Sequence, residues 1–155
     1  MKSFYRGKTI LVTGGASFIG SHLAERLVEL GALVRIVDDL SSGKMENLHS
    51  IKSEVEFIQG DLRDQAVANL ASKGAEIVFH LANVHGGRGF IESHPGEISQ
   101  NFLIDGNVFL AAKETGVDRV CYASSACAYP VDLQKANPSQ NNRFLSEEMG
   151  DIESY

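Results

Sequence analysis

KTILVTGGASFIGSHLAERLVELG, Lys8 to Gly31, decides the fold. Its opening, Lys8 to Thr13, is a short apolar, β-rich run that stops at Gly14-Gly15, which predicts a buried strand. From Phe18 the apolar residues fall at Phe18, Ile19, Leu23, Leu27 and Leu30, a helical spacing, and Gly31 supplies the stop. Between strand and helix lies a glycine turn, Gly14, Gly15 and Gly20. A helix N-terminus offers unpaired N–H groups and a partial positive charge, and glycines let a backbone approach a diphosphate closely. An ordinary tight turn is the plain alternative. Gly15 to Gly20 also matches G-x-x-x-x-G, but Ser21-His22 follows where a triphosphatase loop needs Lys and Ser or Thr, so that reading is rejected.

The same alternation continues along the chain. Leu33–Val37, Val55–Ile58, Ile77–Leu81 and Val120–Ala123 read as strands, and Asp64–Ser72 and Ile98–Thr115 as helices, the last ended by Gly116. Strand, helix, strand, repeated, means parallel strands joined by right-handed helical crossovers. The expected fold is an α/β doubly wound parallel sheet of Rossmann type, about five strands with helices on both faces. Residues 1–130 form the dinucleotide-binding domain. Residues 131–155 are polar, rich in Asn, Gln, Ser and Glu, and read as a loop or marginal helix leading onward.

The second strand ends in Asp38-Asp39, roughly 20 residues beyond the glycine turn, where an acid accepts hydrogen bonds from an adenosine ribose. An acid there repels a 2′-phosphate, so NAD is favoured over NADP; a solvated turn is the bland reading.

Composition narrows the partners. The 155 residues carry 14 Lys and Arg against 20 Asp and Glu, a formal charge of −6, with 43% apolar residues. That balance argues against bulk attraction to nucleic acid or an anionic membrane. No apolar run approaches the ~18 residues of a membrane span. Two cysteines, Cys121 and Cys127, exclude a disulfide scaffold and favour a reducing, cytoplasmic setting. The five histidines show no ligand spacing, so no metal site is expected.

At this point the residues resemble a family, the extended short-chain dehydrogenase/reductases that include the NAD-dependent nucleotide-sugar epimerases and dehydratases. TGGASFIGSHL (Thr13–Leu23), VDDLSSGK (Val37–Lys44), GDLRD (Gly60–Asp64), VFHLAN (Val78–Asn83) and YASSACAYP (Tyr122–Pro130) match its segments in order. The resemblance implies a cofactor site of Gly14, Ser17, Phe18, Ile19, Gly20, Asp38, Asp39, Asp61, Leu62, Leu81, Ala82, Asn101 and Ser124, with Asp61 against the adenine. For Asn101 a local bond at the helix start is the alternative. Two segments, GGRGFIE (Gly86–Glu92) and ASSACAYP (Ala123–Pro130), are similar to the GDP-mannose 3,5-epimerase subfamily. By that likeness Gly86, Gly87 and Arg88 lie against a sugar nucleotide, Ser125 is the catalytic serine and Cys127 an epimerisation acid/base, against a packed, inert thiol as the alternative.

The departures matter equally. Ser17 stands where the family has a glycine. Tyr155 lies at the right distance after Ser125 to be the catalytic tyrosine, or LSEEMGDIESY is the acidic approach to one further on. The lysine four residues past that tyrosine has no position in the chain, so this chain is expected not to turn over a sugar nucleotide by itself. A homodimer is implied by resemblance only, and a non-catalytic NAD- or protein-binding module on the same fold is the competing reading.

Overall fold

Alternate residues of each central strand face two different cores, and that pattern builds the sheet. The computed structural model describes residues 2–124. By contacts the chain divides into a unit Met1–Tyr122 and a second unit Ala123–Tyr155. Every element described here belongs to the first unit; of the second, only Ala123 and Ser124 are described.

The strands are β1 (Thr9–Thr13), β2 (Leu33–Asp38), β3 (Val55–Gln59), β4 (Ile77–His80) and β5 (Arg119–Tyr122). They pair in parallel in the order β3-β2-β1-β4-β5. The order reverses direction at β1, and the space beyond the carboxyl ends of β1 and β4 is where such sheets bind ligands. On one face Ile10, Val12, Val34 and Ile36 pack with Ala24 and Leu27 of α2 (Phe18–Glu29). On the other, Leu11, Val37 and Val78 pack with Ala68 and Ala71 of a helix at Gln65–Ser72 and Ile104, Val108 and Ala111 of one at Pro95–Thr115. Ile10, Leu11 and Val12 are at most 1% exposed; burying one such side chain contributes about 1.5–3 kcal/mol.

Numbered in chain order, the helices are α1 (Lys2–Tyr5), α2, α3 (Gln65–Ser72), α4 (Arg88–Ser93) and α5 (Pro95–Thr115). Their ends follow local chemistry. Asp64 caps α3, its side chain accepting the Ala66 N–H at 2.8 Å. Pro95 opens α5, where its missing N–H costs nothing, and Gly116 closes it at φ +75°. The expected start of α5, at Ile98, therefore moves back by three residues. β4 stops at His80 and β5 starts at Arg119. The helices α1 and α4 and a short 3-10 turn at Met45–Leu48 carry no strong period and were not expected. Among the described residues no helix is long and apolar enough to cross a membrane.

Candidate dinucleotide site

The turn after β1 is shaped by what its glycines lack. Gly14 sits at φ +66°, and a Cβ there would stand 3.0 Å from the Ala82 backbone. Its N–H donates to the Val37 carbonyl at 2.8 Å, tying the turn to β2. A Cβ on Gly20 would lie 2.3 Å from the Gly14 oxygen and 2.7 Å from the Gly15 Cα. So α2 leaves the turn at this angle only because Gly20 has no side chain. Ser17 has φ −81° and ψ 174°, ordinary extended backbone. Glycine is not needed there, and the Ser17 hydroxyl donates to the Gly14 carbonyl at 2.6 Å, bracing the turn. No side chain caps the first N–H groups of α2, which leaves them for an anion. Phe18 and Ile19, which open that turn, carry side chains 77% and 68% exposed.

The two acids after β2 divide their work. Asp38 is 7% exposed. Its Oδ2 accepts the Ala16 N–H and its Oδ1 the Leu40 N–H, each at 2.9 Å. Each oxygen keeps a free lone pair. Asp39 is exposed and accepts from the Ser41 N–H and hydroxyl. Leu40, the next residue, is held at φ +62°, a left-handed conformation that costs a leucine about 1–2 kcal/mol. Lys44 N–H and the Asn47 side chain both donate to the Ala16 carbonyl, so the loop after β2 is stapled onto the glycine turn.

These pieces open on one crevice of about 340 Å³, the lower end of the range for small-molecule sites, about 300–1,000 Å³. Its walls include Gly14, Ser17, Asp38, Asp39, Asp61, Leu62, Leu81 and Ala82, all expected from the sequence. Arg63, Asn83, Val84 and His85 line it as well. Arg63 was within reach of the GDLRD motif: its guanidinium donates to both Asp61 oxygens, at 2.9 and 2.8 Å. That bonding holds the Asp61 carboxyl below its ordinary value, and the partner raises Arg63. Uncapped N–H groups, a cradle closed to any Cβ, an acid with spare lone pairs and the apolar walls of Leu62, Leu81 and Ile104 fit a dinucleotide's diphosphate, ribose and bases.

Not every expected residue lines the crevice. Asn101 clamps Val84 instead, accepting its N–H at 2.7 Å and donating to its carbonyl at 2.9 Å. It acts on the wall from behind, through a partner 17 residues away rather than the local bond at the helix start that the sequence offered as the alternative. Gly86 packs on the Phe90 ring, where a Cβ would meet it at 2.5 Å, and Gly87 precedes α4, which starts at Arg88. Ser124 follows β5. Ser125, Cys127 and Tyr155 lie outside the described residues. Among the described residues no three His, Cys, Asp or Glu side chains group to hold a metal ion.

Behind the Leu81–Ala82 turn runs a polar row. Thr13 and His80 are wholly buried, at 0% and 2% exposed. Thr13 Oγ1 lies 2.7 Å from His80 Nδ1 and accepts the N–H groups of Leu81 and Ala82, each at 3.0 Å. His80 Nε2 is 3.0 Å from Asp105 Oδ1, and the Tyr122 hydroxyl donates to Asp105 Oδ2 at 2.9 Å. Burial pushes the His80 imidazole below its ordinary value despite the carboxylate beside it, and the bond to Asp105 pushes Tyr122 up.

The parallel sheet with its glycine turn and crevice defines a Rossmann-like α/β fold. Comparison makes the class specific: a profile of the NAD dependent epimerase/dehydratase family matches residues 10–155, and the chain belongs to that family. GDP-mannose 3,5-epimerase 1 of Oryza sativa subsp. japonica is 39% identical over 124 residues, 78% of this chain and 32% of that enzyme. A solved epimerase from Methanothermobacter thermautotrophicus superposes with a TM-score of 0.79 at 32% identity, over 97% of this chain and 43% of the other. UDP-glucose 4-epimerase from Brucella ovis, solved in complex with NAD, gives 0.71 at 28% identity, over 79% and 37%. The chain spans between about a third and a half of the curated relatives it matches.

Proposed function

We propose that this chain binds NAD in the crevice and supplies the cofactor half of a nucleotide-sugar epimerase or dehydratase. The observation that carries the reading is the joint geometry of the Gly14–Gly20 turn and Asp38, an anion cradle and a ribose acceptor on the same rim. The NAD bound by the Brucella ovis relative, of the same fold, supports it. When bound, NAD supplies a reversible hydride acceptor. The chain's own groups do the rest: the α2 N-terminus holds the diphosphate, Asp38 the ribose, and Asp61 an adenine amine. In this reading Ser125 hydrogen-bonds the reacting sugar oxygen, Cys127 exchanges a carbon-bound proton, and Tyr155, or a tyrosine beyond it, takes the hydroxyl proton. Gly86, Gly87 and Arg88 face the sugar nucleotide; the likeness to the rice enzyme favours a GDP-sugar. Ser124 would be a further contact to the cofactor.

The protein works as a homodimer in the cytoplasm. The apolar outer face of α5 supports the dimer, and the scarcity of cysteine supports the reducing compartment. Acid release of small molecules from the purified chain, followed by chromatography, tests the cofactor: NAD is expected, and NADP in its place contradicts the assignment. Thermal shifts of the NAD-loaded chain with GDP-mannose and UDP-glucose then test the sugar nucleotide. A shift with GDP-mannose alone supports the GDP reading, and one with UDP-glucose alone overturns it.

A further inference from the structure

Thr13, His80 and Tyr122 are the last residues of β1, β4 and β5, and the register sets them side by side across the sheet. Asp105 reaches this row from α5 and bonds two of its three members. The hydrogens in the row follow from counting. A hydroxyl has one hydrogen and two lone pairs. Leu81 and Ala82 N–H groups fill both lone pairs of Thr13 Oγ1. Its hydrogen therefore goes to His80 Nδ1, which must accept. The imidazole is then neutral with its hydrogen on Nε2, and that hydrogen goes to Asp105. The opposite tautomer would aim two hydrogens at each other between Thr13 and His80, in a place that water does not reach.

The carboxylate is what selects this state. It accepts at Oδ1 from Nε2–H and at Oδ2 from the Tyr122 hydroxyl, and has no hydrogen to give. An imidazole that rotated or switched tautomer would lose Asp105 and release the Thr13 hydrogen together. The Thr13 lone pairs would then no longer be reserved for Leu81 and Ala82, two residues of the crevice wall.

We propose that Asp105 is a positioning residue for the cofactor: through His80 and Thr13 it holds the Leu81 and Ala82 N–H groups and so fixes the crevice wall. Its effect on cofactor affinity rests on the NAD reading above; the hydrogen-bond relay does not. Nitrogen NMR of His80 and amide exchange at Leu81 and Ala82 read the relay directly, and calorimetry with NAD reads its consequence. Asp105→Asn keeps an acceptor for Nε2–H; Asp105→Leu keeps bulk and removes it.

The wild-type chain and Asp105→Asn are expected to show the Nε2–H tautomer and protected Leu81 and Ala82 amides. Asp105→Leu is expected to mix tautomers, expose both amides and bind NAD about 10-fold more weakly, the size of one buried group losing its partner. An Nδ1–H tautomer in the wild-type chain overturns the relay, and does so even if Asp105→Leu does not fold. Unchanged amide protection and NAD affinity in Asp105→Leu overturn the role of Asp105. Wild-type protein that shows the relay but binds no NAD overturns the cofactor reading instead, and the cofactor role of Asp105 with it.

Discussion

Asp38 does two jobs with one carboxylate: it ties the glycine turn to the loop after β2, and it keeps lone pairs for a ligand. Asp38→Ala removes both tethers, each a bond to a charged group. A loss of about 3 kcal/mol in denaturant unfolding is expected, with loss of NAD binding. Ser17, in the turn that Asp38 tethers, makes a subtler case. Ser17→Gly frees a backbone that does not need glycine and removes the brace to Gly14, so about 1 kcal/mol less stability and severalfold weaker NAD binding are expected. Tighter binding by Ser17→Gly in the same titration would mean that the hydroxyl obstructs the diphosphate. The sequence marked Asp38 as the acid because position along the strand places it. It left the effect of Ser17 open, because that depends on which acceptor the hydroxyl finds. Asn101 was legible as a residue of this region but not as a clamp on Val84, since an amide's partner 17 residues away is a matter of tertiary packing.

Helix α5 illustrates both the strength and the limit of periodicity. It buries Ile104, Val108, Ala111 and Ala112 against the sheet. It also exposes Phe102 at 83% and Leu103 at 51%, with Phe109 and Leu110 over 40%. Apolar residues on more than one face blur the amphipathic signal, which is why the reading began at Ile98 and missed the proline start. A helix apolar beyond its core face is suited to a further packing partner. Under the dimer proposal, Phe102→Glu is expected to give monomers in sedimentation while unfolding within about 0.5 kcal/mol of wild type, as befits an exposed site. A monomeric wild-type chain would contradict the dimer.

Across the whole molecule the alternation of strand and helix was enough to predict a parallel sheet, because only right-handed crossovers fit it. The row of Thr13, His80, Asp105 and Tyr122 was not legible: its members lie in four elements and meet only through register. That row also sets the pH response. Burial lowers the His80 value, so as pH falls through the ordinary imidazole range the unfolded chain takes up a proton that the native chain refuses. Stability from this group is complete above that range and is lost below it. Asp61, held low by Arg63, adds stability that is present above the ordinary carboxylate range and lost as pH falls through it. Tyr122, held high by Asp105, adds stability that is lost as pH rises past the ordinary phenol range. Urea unfolding across pH should therefore show a plateau near neutrality with a fall on either side; stability that rises on acidification through the imidazole range would contradict the buried neutral His80.

The central claim is that the Gly14–Gly20 turn and Asp38 form an NAD site. Calorimetric titration of the purified, folded chain with NAD, and with NADP in parallel, tests it most directly. Saturable binding of NAD with clear preference over NADP is the predicted result. Equal or stronger binding of NADP, or no binding of either, would contradict it.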